Sequence, residues 1–388
     1  MARRVCVITG SRAEYGLLFW LLTDLQADPA FDLQLVVTGM HLAPEFGNTV
    51  QEIEKDGFSI SSRVDMLLSG GTPAAIAKSV GLGVIGMSDA LERLKPDVVV
   101  ILGDRFEIFA AAQACMIHNI PIAHIAGGDT TEGAADEAMR HAITKMAHLH
   151  FATNVQSAAR VRQLGENPAR VFDVGSPGLD HLRRRPLLDR PALEQELEDS
   201  LGTRNLLITF HPVTLQSDSG LAEFDELLAA LEQLDPSIKL WFSLPNADAG
   251  GRAMSSKLLA WVASYKCRAR AYASLGQLRY LSLMANVDAV VGNSSSGLYE
   301  APSLGVPAVD VGDRQSGRLA AASVLHCAAE RGAILQAVNR AMAFDCRGTV
   351  SPYGDGHATD RIIEVLRSMP DRVELLRKSF HMTGSERV

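Results

Sequence analysis

Three consecutive serines stand between an asparagine and a glycine in Asn293-Ser294-Ser295-Ser296-Gly297, after the apolar run Val287–Val291 and before the helix-like segment Leu298–Leu304. Small residues, hydroxyls and the unsatisfied N–H groups of a helix start together suit a phosphate or diphosphate. Glu300 lies about one turn into that helix, where a carboxylate accepts hydrogen bonds from vicinal ribose hydroxyls rather than meeting the phosphate. A plain serine-rich helix cap has the same composition. The following Gly305-Val306-Pro307 and Gly312-Asp313-Arg314-Gln315 weigh against that simpler reading. Five further polar clusters each follow a short apolar run: Gly10-Ser11-Arg12-Ala13-Glu14, Gly103-Asp104-Arg105-Phe106-Glu107, His124 to Asp129, His211, and Asn246 to Gly250. Any one is explained as a turn, but their shared position after successive runs points to a ligand crevice.

The elements that must position these groups are short apolar runs alternating with helix-length amphipathic segments. The runs Val5–Thr9, Asp32–Thr38, Val98–Leu102 and Pro121–Ile125 read as strands, and Gly16–Gln26, Pro73–Leu94 and Ile108–His118 as helices, so a parallel β/α sheet is expected. Thr72-Pro73 reads as an N-cap followed by proline at the first helical position. Near Asp180 to Asn205 the alternation lapses into a charged, proline-containing stretch, and a second series starts at LLITFHP. The chain therefore divides into an N-terminal domain of 1–180, completed by a C-terminal helix at 366–388, and a second domain of 181–365. Each is expected to be Rossmann-like and doubly wound, the two facing a central cleft. A single last amphipathic helix is expected from about Thr359 to Phe380.

Composition narrows the function classes. With 45 acidic against 37 basic residues in 388, and basic residues scattered apart from Arg183-Arg184-Arg185, the chain has no nucleic-acid footprint. Five cysteines, Cys6, Cys115, Cys267, Cys327 and Cys346, lack metal-ligand spacing and read as reduced thiols, and His141, His148 and His150 give no zinc motif. No apolar run approaches the roughly 18 residues that span a bilayer, so a cytoplasmic protein without membrane partners is expected.

The strings GSRAEYG (10–16), GDRFE (103–107), HIAGGDTTEGAADEAMRHAITKMAHLHF (124–151), FHP (210–212), PNADAG (245–250), GNSSSG (292–297) and GDRQSGR (312–318) occur in an order that resembles the UDP-N-acetylglucosamine 2-epimerase family, particularly its hydrolysing branch. The resemblance spans nearly the whole chain. It implies a GT-B arrangement of two α/β domains with the nucleotide mainly on the second, a homodimer, and neither a cofactor nor a catalytic metal; the glycine spacing of GSRAEYG is also wrong for a dinucleotide fingerprint. It implies loss of UDP from C1 and of the proton from C2 to give a glycal, then addition of water to release the 2-epimeric sugar. The catalytic residues so implied are Asp104, Asp129, Asp136 and His211. Those implied for UDP and the sugar are Arg12, Glu14, Arg105, His124, Arg140, Asn246, Ser294, Ser295, Ser296, Gly297, Glu300, Arg314 and Arg318. Asp104 has an alternative as an ion-pair partner of Arg105, and His124 one as a satisfied core histidine.

Two departures bear on the sugar. Ala126 stands where the family often has glutamate, and Asp129 is the shorter acid after the two glycines. UDP-N-acetylglucosamine is the first substrate expected, giving N-acetylmannosamine for sialic-acid-type synthesis. A UDP-2,4-diacetamido-2,4,6-trideoxy sugar and the non-hydrolysing epimerase are the alternatives, with a glycosyltransferase and an inactive nucleotide-sugar sensor further off.

Overall fold

The computed structural model describes residues 2–68, 72–130, 135–213, 218–245, 251–273 and 275–382. They fall into two compact α/β units, one of residues 2–130, 135–180 and 353–382 and one within 181–352. In the first unit β1 (Arg3–Thr9), β2 (Phe31–Thr38), β3 (Ile60–Val64), β4 (Val98–Leu102), β5 (Ile122–Ile125), β6 (Leu149–Ala152) and β7 (Val171–Asp173) form one parallel sheet in the order β3-β2-β1-β4-β5-β6-β7. The strands are apolar run-through because helices cover both faces. Val5 and Val7 of β1 pack with Leu18 and Leu22 on one side, and Cys6 and Ile8 with Met87 and Ile108 on the other.

The second unit repeats the scheme with β8 (Arg204–Thr209), β9 (Ile238–Ser243), β10 (Ala269–Tyr272), β11 (Ala289–Gly292), β12 (Ala308–Val311) and β13 (Val324–Cys327), ordered β10-β9-β8-β11-β12-β13 and all parallel. In each sheet the strand order reverses once, between β1 and β4 and between β8 and β11. Ligands of open α/β sheets bind outside the strand ends at that reversal. The turns after β1 and β4, with the first residues of the helices that follow, carry Gly10–Glu14 and Gly103–Glu107; the segments after β8 and β11 carry His211 and the three serines.

Three expectations need correction. The return to the first unit begins at Tyr353 rather than 366, because Gly175, Ser176 and Asp180 hold that segment: Ser176 N–H donates to Tyr353 O, and the buried Asp180 carboxylate accepts the N–H groups of Ala358 and Thr359. The last helix is two, Ala358–Ser368 and Arg372–Leu376, since the Met369-Pro370 step stops the first and Asp371 caps the second. The helix Pro73–Leu94, capped by Thr72 as its sequence indicates, is one helix among the described residues that is long and apolar enough to cross a membrane. It packs through Gly83, Met87, Ala90 and Leu91 in the first unit and leaves Ile76, Leu82 and Ile85 exposed.

Candidate functional site

At the reversal of the first sheet, Asp104 follows β4 and meets Arg140 from the helix Ala135–Met146 in a close ion pair, with side-chain exposures of 20% and 4%. Arg140 also donates to Asp129 O at 2.7 Å and to Glu137 Oε2 at 2.8 Å. One buried guanidinium therefore ties the ends of β4 and β5 to the helix between them and β6. The planar fork of five N–H donors makes such three-way bridging possible. The Asp104–Arg105 ion pair considered from sequence is not the arrangement found. Arg105 turns to Glu107, with both contacts at 3.3 Å, and lies 3.9 Å from Glu14.

Glu14 and Glu107 are both buried carboxyls on either side of Arg105. Glu14 Oε2 accepts the Gly10 N–H at 2.7 Å, while Oε1 is buried without a hydrogen-bond partner. Burial first, and Glu107 second, push the Glu14 carboxyl up to about 8 despite the opposing pull of Arg105. Glu107 occupies space that a glycine vacates: at Gly39, whose φ is +57°, a Cβ would fall 2.7 Å from Glu107 Cγ. Arg12 sits at the start of the first helix, half-exposed and 3.2 Å from Glu52.

The His124 ring is fully buried; Nε2 donates to Gly103 O at 2.7 Å and Nδ1 faces Thr144 Oγ1 at 3.3 Å. Burial depresses it to about 3, so it is neutral and serves the backbone turn before Asp104, the simpler of its two readings. Asp129 is buried, its Oδ1 accepting from Thr153 and Ser157 at 2.6 Å each. Asp136 lies in the first turn of the Arg140 helix. Ala126 holds a left-handed φ of +64° and donates its N–H to Phe151 O at 2.9 Å. For a residue with a Cβ this conformation costs on the order of 1 kcal/mol.

In the second unit Asn293 organises the reversal. Its side-chain amide donates to His211 O at 2.8 Å and accepts the His211 N–H at 2.7 Å, joining the ends of β8 and β11. Its carbonyl accepts from Arg314 at 3.0 Å and Gln315 at 2.7 Å, which places the arginine beside the serine loop, and Arg318 donates to Gln315 Oε1. Gly292 has φ +139°, and a Cβ there would lie 2.0 Å from Thr209 O, so no other residue fits between β8 and the loop. Ser295 precedes the helix Ser296–Ser303, and a Cβ on Gly297 would lie 3.4 Å from Ala308 Cβ, so the helix start sits close to the sheet.

Burial, and then the Arg314 charge, lower the His211 imidazole to about 4. It is thus neutral at pH 7, and its Nδ1 has no hydrogen-bond partner. Glu300 Oε2 is likewise buried without one, and burial pushes that carboxyl up to about 8. Asn246 lies outside the described residues. Sequence reasoning gave no role to Asn293, Gln315 or Glu137. Their roles arise from contacts between distant segments, and only the proximity of Glu137 to Arg140 at helical spacing was a local signal. Among the described residues no cluster of three or more His, Cys, Asp or Glu is placed to hold a metal ion.

A serine loop primed for an anion and a carboxylate–guanidinium cluster, each at the reversal of a doubly wound sheet, define an α/β enzyme of nucleotide-linked substrates. The chain belongs to the UDP-N-acetylglucosamine 2-epimerase family, which matches residues 23–367. It is 40% identical over 83% of its length, and 84% of the relative's, to the GDP/UDP-N,N'-diacetylbacillosamine 2-epimerase (hydrolyzing) of Campylobacter jejuni. It is 33% identical over 97% of its length, and 99% of the relative's, to the UDP-N,N'-diacetylbacillosamine 2-epimerase (hydrolyzing) of Legionella pneumophila. The fold is that of the UDP-GlcNAc 2-epimerase from Neisseria meningitidis solved with UDP-GlcNAc, at a TM-score of 0.79 and 20% identity, over 94% of this chain and 99% of that one.

Proposed function

We propose that the protein is a hydrolysing 2-epimerase of UDP-2,4-diacetamido-2,4,6-trideoxyglucose, the N,N'-diacetylbacillosamine nucleotide, releasing UDP and the free 2-epimeric sugar. The observation that carries the reaction is Asp104 at the end of β4, partly open to solvent and bridged through Arg140 to Asp129 O. An acid fixed in this way is equipped to take the C2 proton as UDP leaves C1. Asp129 and Asp136 are the further acids for the return of a proton and the handling of water. Ser294, Ser295, Arg314 and Arg318 receive the diphosphate, with Ser296 and Gly297 holding the loop through their hydrogen bonds to Ser294, His211 as a neutral hydrogen-bonding group and Glu300 on the ribose. Arg12 is a further candidate for the diphosphate, and Arg105, held by Glu14 and Glu107, for the rest of the substrate. The choice of sugar is supported by the names of the two relatives above, and it moves the trideoxy sugar ahead of the UDP-N-acetylglucosamine first expected from sequence.

The protein is further proposed to form a homodimer in the cytoplasm, through the exposed Ile76, Leu82 and Ile85 of the helix Pro73–Leu94. The reaction is tested by proton NMR in D2O with the trideoxy diacetamido nucleotide and, separately, UDP-N-acetylglucosamine. Free 2-epimeric sugar deuterated at C2, together with UDP, is expected from the first. Faster turnover of UDP-N-acetylglucosamine would reassign the sugar, and an epimerised nucleotide sugar in place of free sugar would remove hydrolysis.

A further inference from the structure

We propose that Tyr280 is a positioning residue that commits the Ser294 hydroxyl to donate its proton to a bound phosphate oxygen. The proposal rests on the phosphate role given to the serine loop above. Tyr280 comes from the helix Gly276–Met284, and its hydroxyl lies 3.1 Å from Thr209 Oγ1 at the end of β8 and 2.7 Å from Ser296 Oγ. Ser296 in turn donates through Oγ to Ser294 Oγ at 3.1 Å, and its N–H reaches the same oxygen at 3.4 Å. Four hydroxyls, Thr209, Tyr280, Ser296 and Ser294, thus form one chain from the sheet to the loop.

The proton count gives this chain a direction. A hydroxyl has one proton and two lone pairs. Ser294 Oγ already accepts twice, so only its proton remains for a further partner. Ser296 spends its single proton on Ser294 and must therefore accept from Tyr280, and Tyr280, having donated, accepts from Thr209. Burial keeps the Tyr280 phenol protonated, so it always has a proton to give. Each of these links points toward Ser294, whose own proton is left to donate. The Tyr280 oxygen is a neutral acceptor within its reach, and an anion takes the proton in its place because hydrogen bonds to charged groups are the strong ones.

Without the phenol, Ser296 has no donor behind it. Ser294 is then free to turn its proton back onto Ser296, and an anion must compete with that internal bond. The test compares UDP and uridine binding to the wild type, Tyr280→Phe, Ser294→Ala and the double variant, by calorimetry for UDP and NMR titration for uridine. UDP is expected to bind Tyr280→Phe about 10-fold more weakly, the loss of part of one charge-assisted hydrogen bond, with uridine affinity unchanged. In the Ser294→Ala background the Tyr280→Phe change should have no further effect on UDP. Ser296→Ala, which cuts the same chain one link on, should reproduce the loss and serves if Tyr280→Phe does not fold. UDP affinity within about twofold of wild type in Tyr280→Phe, or an equal loss in the Ser294→Ala background, would overturn the proposal while leaving the loop's phosphate role intact. A wild-type protein that binds no UDP would remove both.

Discussion

Replacing Glu14 by glutamine removes a carboxyl whose folded and unfolded forms hold their proton very differently. In the folded chain burial and Glu107 keep the proton on up to about pH 8, against an ordinary value of 4.5. Between those values the folded state binds more protons than the unfolded one, so wild-type stability falls as pH rises and the loss is complete near pH 8. At 1.36 kcal/mol per pH unit the full effect is about 5 kcal/mol, of which roughly 4 kcal/mol develops between pH 5 and 8. Glutamine keeps an oxygen for the Gly10 N–H and does not titrate. The variant should therefore gain about 4 kcal/mol over wild type between pH 5 and 8, read as the difference between urea denaturation curves recorded at half-unit steps. A difference that stays constant with pH would show that Glu14 titrates as it does in the unfolded chain, and the paired-carboxyl account of the Arg105 cluster would fail.

Asp104→Asn should lower turnover by about 10³-fold with UDP affinity unchanged, since the residue acts on the sugar and not on the diphosphate; a loss of UDP binding in calorimetry would contradict that division. Gly292→Ala places a methyl against Thr209 O and should cost more than about 3 kcal/mol in the second unit, seen as insoluble protein or a collapse of the thermal midpoint. Ile85→Glu adds a charge to the exposed face of the helix Pro73–Leu94 and should give a monomer in sedimentation velocity where the wild type is a dimer. An unchanged dimer would place the interface elsewhere.

Much of the fold is legible in the sequence because its signals are local. The Val- and Ile-rich runs of β1 and β4 must be covered on both faces, the Thr72-Pro73 pair favours a helix start, and a glycine–serine turn after a strand brings hydroxyls to the strand end. The same local signals misplace features that depend on distant partners. From sequence the last helix runs on past Pro370, and the return to the first unit starts at 366 because Asp180, which accepts the N–H groups of Ala358 and Thr359, is far away along the chain.

The sequence by itself determined which chemical groups the chain carries and that they follow strands: the acids Asp104, Asp129 and Asp136, the serine loop, and the arginines beside them. Tertiary structure decided which group meets which. Arg140, not the adjacent Arg105, is the partner of Asp104, and Arg105 lies between Glu14 and Glu107. His124 is spent on Gly103 O, and His211 is neutral between burial and Arg314. Tyr280, unmarked in the sequence, reaches Ser296 across a turn and a strand. Residue type fixes what a side chain is able to donate, accept or titrate. Whether it does so depends on burial and on the nearest charge, and both are set only when segments far apart in the chain pack together.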